Sequence, residues 1–190
     1  MKKLILASAS PRRKELLQLI TNEFSVCPAE ADETLTQGIS IENQIKELAY
    51  RKAKAVLDIY EDSIVIGSDT MVVIDSKPLG KPQDRENAIQ MLEMLSGRTH
   101  EVITGVAVIS NEKSIIDYRT TKVKFRNLTK KEIERYVSTG EPMDKAGAYG
   151  IQGLGAVLVE GIEGDYFSVV GLPVSLVYTM LCEFDCDISR

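Results

Sequence analysis

Apolar positions along the chain change their period several times, and each change marks the border of an element. Lys3 to Ala7 is a short apolar run closed by Ser and Pro, which predicts a buried strand. Ser10 follows as a cap, with Pro11 at the first position of a helix that turns Leu16, Leu17 and Ile20 inward. Glu23 to Cys27 alternates and predicts a second strand. Beyond a polar link holding Glu30, Asp32 and Glu33, Ser40 caps a long helix running to about Ile59. Ser63 to Ile74 is strand material, one long strand or a bent one, and Pro78, Gly80 and Pro82 predict a loop. Asp84 caps a helix that ends at Gly97. His100 to Ile109 and Ile115 to Phe125 bracket Asn111-Glu112 as a β-hairpin. Thr129 and Glu132 make a capping box for a short helix ending at Gly140. A glycine-rich segment from Gly147 to Gly171 holds a strand at Ala156 to Val159, and Pro173 opens a last helix with Val174, Val177, Met180 and Leu181 facing in. Helices and strands alternate while a hairpin intervenes, so the expected class is α/β with a mixed sheet. No repeat or linker interrupts the 190 residues, and a single domain over residues 1–190 is expected.

Charge and composition narrow the function classes. With 28 acidic and 23 basic side chains, the net charge is −5, so neither nucleic acid nor an anionic membrane is an expected partner. A bound phosphate would have to meet a local basic cluster. There is one His and no Trp, which excludes chemistry built on several histidines, and His100 has no Ser or Cys motif to complete a hydrolase triad. Cys27, Cys182 and Cys186 suit neither a disulfide framework nor a four-ligand zinc site, and point to a reducing compartment. Met1-Lys2-Lys3 followed by Leu4-Ile5-Leu6-Ala7 imitates a signal peptide, but the apolar core is about four residues where roughly 7–15 are needed. A cytoplasmic, soluble protein is expected.

Four places break the ordinary rules. Arg12-Arg13-Lys14 put cations in the opening turn of a helix, against its dipole. Either they face water, or with Ser8, Ser10 and the free N–H groups of the turn they form an anion site. Lys52 falls near 20° on a wheel of the Ser40-capped helix at about 100° per residue, inside the stripe of Ile41, Ile45, Leu48, Ala49, Val56 and Ile59. It either snorkels out or points inward to an anionic partner. As a buried charge, its replacement by Met would keep or raise stability. Asp69 interrupts an apolar run from Ile64 to Ile74; it marks a Gly-Ser-Asp turn, or it is a carboxylate kept for catalysis or a metal. The stretch from Glu141 to Gly153, with three glycines among aromatic and amide groups, suits close approach of backbone to a ligand, or is a plain loop entering a strand. Together, Arg and Lys for phosphates and carboxylates for a divalent metal suggest phosphoryl or nucleotidyl chemistry, while no Walker or kinase glycine motif is present.

Ala7-Ser8-Ala9-Ser10-Pro11-Arg12-Arg13, Gly67-Ser68-Asp69-Thr70, Gly80-Lys81-Pro82, Asp144 to Gly153 and Gly171-Leu172-Pro173 make a pattern that spans the chain. On these stretches the sequence resembles the Maf family of nucleoside triphosphate pyrophosphatases, in its dTTP/UTP branch. The resemblance implies an elongated mixed sheet flanked by helices, in two lobes with a cleft between them. It also implies hydrolysis between the α and β phosphates to the monophosphate and pyrophosphate, with Mg²⁺ or Mn²⁺. By motif, Asp69 is the proton acceptor; Arg12, Thr70 and Gln152 match positions tied to base preference; and Ser8, Arg13, Glu33, Lys52 and Lys81 match other cleft positions. The chemistry of the residues themselves then makes Asp69, assisted by Glu33, the expected metal ligand. A sibling branch that prefers 7-methyl-GTP carries Trp, Gln and Glu in place of Arg12, Thr70 and Gln152. House-cleaning of modified pyrimidine nucleotides and arrest of division are the implied cellular roles, and homodimerisation is left open. A nucleotidyltransferase, or a septum-formation regulator acting by binding alone, are the competing classes.

Overall fold

The computed structural model describes residues 2–186 and 188, so Met1 of the charged opening triplet lies outside them. Strand β1 (Lys3–Leu6) runs parallel to β2 (Ser25–Val26) on one side and to β3 (Ser63–Ile74) on the other. β3 is one continuous strand, and it turns back into β4 (Lys77–Leu79) through Asp75-Ser76, both at positive φ (50° and 60°). That pair of left-handed residues is what a two-residue hairpin demands. β5 (Thr99–Ile109) and β6 (Ser114–Phe125) are sheet neighbours joined by a turn in which the Ser110 N–H donates to the Lys113 carbonyl at 2.8 Å. β7 (Val159–Glu163) pairs antiparallel with β6. The order is β2-β1-β3-β5-β6-β7, with β4 on β3, giving a mixed seven-stranded sheet flanked by helices. The α/β expectation and the hairpin hold.

The helices are α1 (Pro11–Leu17), α2 (Ile41–Leu57), α3 (Arg85–Leu95), α4 (Lys130–Val137), α5 (Tyr166–Val170) and α6 (Val174–Leu181). Ser10, Ser40, Asp84 and Thr129 cap the first four, each side chain accepting from the N–H three residues on. In α4 the box is reciprocal, because Glu132 also accepts from the Thr129 N–H at 2.8 Å. Gly97 and Gly140, at φ +68° and +77°, close the α3 and α4 ends in the left-handed conformation that glycine adopts without strain.

Several expectations need correction. β2 keeps only two residues of the alternating run. α2 stops at Leu57 and closes in a turn, the Asp58 N–H bonding back to Lys54 and the Ile59 and Tyr60 N–H groups to the Val56 carbonyl, and there Ile59 is 68% exposed despite its place on the wheel. Periodicity carries no information about that exit. Pro78 stands in β4, opposite Val73, at an edge where its missing N–H is tolerated. The strand expected at Ala156 to Val159 is displaced: Gly153–Leu158 is a 3-10 segment, and the strand of this stretch begins at Val159 and runs to Glu163. α5 was not foreseen. In α6 Leu176, and not half-buried Val174, completes the buried face with Val177, Met180 and Leu181.

The chain divides into two compact units, Met1–Asp69 with Thr104–Arg119 and Gly171–Arg190, and Thr70–Ile103 with Thr120–Val170. The first holds a core of Ile5, Ala7, Ala49, Ala53, Val56, Leu57, Val65, Ala107 and Ile109. The second packs α3 and α4 around Val72, Leu92, Val102, Phe125, Ile133 and Tyr149. Inside it His100, Phe125 and Tyr149 meet edge to face at centroid distances of 4.7–5.4 Å. No helix among the described residues is long and apolar enough to cross a membrane.

Candidate active site

Two glycines build the first unit around α2. A Cβ on Gly67 of β3 would collide with the Ala49 carbonyl and with Ala53, and a Cβ on Gly105 of β5 would stand 2.5 Å from the Ile45 carbonyl oxygen. The helix therefore lies with its backbone directly on these strands. Ile45, Ala49 and Ala53 form the contacting row, and Lys52 sits beside that row. Its side chain, 13% exposed, ends between two carboxylates: Nζ pairs with Asp69 Oδ1 and with Glu33 Oε1, the latter at 2.8 Å. Asp69 is two residues beyond Gly67 and, with Thr70, is the half-exposed break in the otherwise buried β3. Of the two readings of each residue, the structure selects the inward lysine and the strand carboxylate. The turn at Gly67-Ser68-Asp69 does not occur.

Arg13 approaches the same stretch from α1. Its Nε donates to the Gly171 carbonyl at 2.9 Å and its Nη1 to the Ser68 carbonyl at 2.8 Å, the peptide just before Asp69. Ser8 Oγ accepts from the Ser10 N–H at 3.2 Å and lies 3.5 Å from Arg13 Nη1. Burial draws the guanidinium below its ordinary pKa; the Asp69 and Glu33 charges act upward and Arg12 downward. Buried Ser68 fixes the strand further, its hydroxyl lying 3.0 Å from the Gly105 and 3.1 Å from the Gly171 carbonyl oxygen. Arg12 is half-buried beside it in the chain.

The second unit carries Thr70, Lys81 and Gln152. Exposed Lys81 follows Gly80, whose carbonyl accepts from the Gly147 N–H at 3.0 Å. Gly147 has φ +68° and a Cβ there would press on Val72, so the loop lies flat on β3. Half-buried Gln152 precedes the 3-10 segment. His100, buried to 2%, shares a hydrogen bond of 2.7 Å between Nε2 and the Tyr149 hydroxyl, and burial pushes its pKa down to about 4. It is a core residue, which settles the choice between core and surface that the sequence leaves open.

The Maf-like protein family model matches residues 3–184. The chain belongs to the Maf-like protein family. Proteins named dTTP/UTP pyrophosphatase in Bacillus cytotoxicus and in Bacillus cereus strain G9842 are 52% and 50% identical over 190 residues, covering all of both chains. One of the same name in Desulforamulus reducens is 51% identical over 99% of this chain and all of its own. Among solved structures, the Ham1 protein of Staphylococcus aureus shares the fold, with a TM-score of 0.53 at 14% identity over 83% of this chain and 80% of its own.

In this Maf-like protein sequence reasoning missed Arg51. It stands off the apolar stripe, and nothing local distinguishes it from an exposed helix cation. Its guanidinium donates to the Asp32 and Thr34 carbonyls at 3.3 and 2.8 Å, to Thr36 Oγ1 at 2.9 Å and to Glu47 Oε1 at 2.6 Å. Thr36 in turn donates to Glu47 at 2.7 Å. Residues 32–36 are thus clamped to α2, which brings Glu33 to Lys52. Glu141, which opens the glycine-rich stretch but has no role of its own in the sequence reading, accepts from the Leu154 and Gly155 N–H groups, each at 3.0 Å.

Proposed function

We propose that this chain hydrolyses UTP and dTTP, and modified pyrimidine nucleotides of the same pattern, to the monophosphate and pyrophosphate, acting as one Maf-like domain over residues 1–190. The observation that carries the proposal is Lys52, an ammonium inside an apolar helix stripe, held between Asp69 and Glu33. The names of the full-length relatives supply the substrate class.

Water attacks the α-phosphorus, its proton passes to the Asp69 carboxylate, and the bond from that phosphorus to the α,β-bridging oxygen breaks, so that pyrophosphate leaves. Lys52, Arg13 and Lys81 offset charge on the phosphates, with Ser8 as a hydrogen-bonding partner. Arg13 also holds the peptide before Asp69 through Ser68. In the second unit Gln152 and Thr70 select the base, and Arg12 in the first contributes to the same preference. Uracil and thymine offer an N3–H beside carbonyl oxygens, and an amide can accept from the one and donate to the other. Cytosine reverses that pattern.

Asp69 and Glu33 fit a divalent metal in kind: two hard oxygen donors already converge on one cation, the Lys52 ammonium. Among the described residues no group of three or more His, Cys, Asp or Glu could hold a metal, so phosphate and water would supply the remaining ligands. Mg²⁺ or Mn²⁺ held there would neutralise phosphate charge and acidify water.

The test is a panel of UTP, dTTP, CTP, ATP and GTP with Mg²⁺ or Mn²⁺, separating pyrophosphate from orthophosphate and identifying the nucleotide product. UMP and dTMP with pyrophosphate are expected. Orthophosphate release, or transfer of the nucleotide to an acceptor, would refute the proposal.

A further inference from the structure

Gln152 stands at the N-cap of the 3-10 segment Gly153–Leu158, the position whose side chain ordinarily accepts from the first unpaired N–H groups of a turn. Its side chain makes no such bond. A carboxylate from another segment does the capping: Glu141 Oε2 accepts from the Leu154 N–H and Oε1 from the Gly155 N–H, each at 3.0 Å. Behind Gln152 the Tyr136 hydroxyl donates to Glu141 Oε1 at 2.9 Å and accepts from the Gly150 N–H at 3.2 Å. One carboxylate and its phenol therefore fix the chain on both sides of Gln152. Gly153 permits the approach, since it has φ +69° and a Cβ there would stand 2.9 Å from Glu141 Oε2. Burial acts to raise the Glu141 pKa, but the Leu154 and Gly155 N–H groups and the Tyr136 hydroxyl outweigh it, and the pKa is lowered.

We propose that Glu141 is a positioning residue for base selection: by capping this turn from outside, it leaves the Gln152 amide available to the pyrimidine edge and holds it in one orientation. The proposal rests on Gln152 reading the base. Without Glu141, the N–H groups of Leu154 and Gly155 compete for the Gln152 side-chain oxygen, and an amide so diverted no longer distinguishes uracil from cytosine.

The experiment measures kcat/KM for UTP and CTP in the wild type, Glu141→Gln, Gln152→Ala and the double variant, with amide exchange of Leu154 and Gly155 read in parallel. Glu141→Gln is expected to lose about tenfold of the UTP-over-CTP ratio and to speed exchange at both amides. Gln152→Ala should lose at least as much of the ratio, and the double variant no more than Gln152→Ala alone. If Gln152→Ala keeps the ratio, Gln152 does not read the base and this inference falls with that reading. If Gln152→Ala loses the ratio but Glu141→Gln keeps it, the role of Glu141 alone is overturned; additive losses in the double variant overturn it too. Should Glu141→Gln fail to fold, Tyr136→Phe removes one bond to the same carboxylate and must shift the ratio in the same direction; an unchanged ratio in that variant overturns the inference.

Discussion

Replacing Lys52 by Met tests whether the charge centre is a paired unit or a lone buried cation. Lys52 and Asp69 are 13% and 19% exposed at their side chains, so this pair lies in the buried regime, whereas Glu33 at 65% lies in the solvated one. Removing one partner of a buried pair costs about 3–5 kcal/mol, and a solvated pair contributes about 0–1 kcal/mol. Methionine packs well on the stripe and Asp69 retains some access to water, so the net loss is set at about 2–3 kcal/mol. For a chain of this size that is a fall in Tm of roughly 4–12 °C. The expectation formed on Lys52 by itself, that Met would keep or raise stability, is reversed once its buried partner is known. Urea and thermal denaturation of Lys52→Met, Asp69→Asn and the double variant supply the assay. The double variant should recover most of the loss, with a coupling energy of about 2 kcal/mol. A Lys52→Met protein that melts at or above the wild-type temperature, or a double variant no better than the single, would refute the paired-unit account.

Asp69→Asn should fold normally and lose at least about 10²-fold in kcat on UTP; near-normal turnover in a folded variant would remove Asp69 from the proton transfer. Arg51→Met is expected to lower activity by about 10-fold by loosening the loop that carries Glu33, with faster proteolysis within residues 32–36; unchanged activity and digestion would show that Glu33 is placed without the clamp. His100, whose folded pKa is depressed to about 4, adds stability that is complete above its unfolded value near 6.5 and is lost as pH falls through that interval. The loss is on the order of 3 kcal/mol, and His100→Leu should flatten the stability profile between those pH values; a profile as steep as the wild type would exclude His100 as its source.

What the sequence could reveal depended on distance along the chain. Caps at Ser10, Ser40, Asp84 and Thr129 are read from a few consecutive residues, and all four hold. Lys52 and Asp69 were conspicuous because each is a charge in an apolar pattern, a contradiction visible without any contact map. Arg51 and Glu141 contradict nothing locally: one is a helix cation off the stripe, the other a carboxylate before a proline. Their importance lies entirely in partners met through folding, Thr34 and Thr36 for the one and Leu154 and Gly155 for the other. The late start of the strand expected at Ala156 to Val159 has the same origin. Its apolar residues fit a strand, but Glu141 takes the Leu154 and Gly155 N–H groups just before them, in a backbone that runs as a 3-10 segment to Leu158.

The glycines show why the Lys52–Asp69 pair can be placed so tightly. An ordinary helix packs on a sheet through side chains, which can hop between rotamers and absorb small shifts. At Gly67 and Gly105 the α2 backbone meets strand backbone with nothing between them. The height of the helix over β3 and β5 is then set by covalent geometry, and a residue one turn along the same helix inherits that accuracy. Lys52 adjoins Ala53, which contacts Gly67, and Asp69 follows Gly67 by two residues on one strand. Only the side-chain torsions of Lys52 and Asp69 therefore separate the contact from the ion pair. Glu33 reaches the same ammonium from a loop, and there the Arg51 clamp supplies the order that backbone contact supplies for Asp69. The two carboxylates on one lysine are thus held by different means, strand backbone for the proposed proton acceptor and a side-chain clamp on the loop for its neighbour. Under the proposed function Asp69 must keep its aim on the attacking water, and the more direct of the two restraints falls on it.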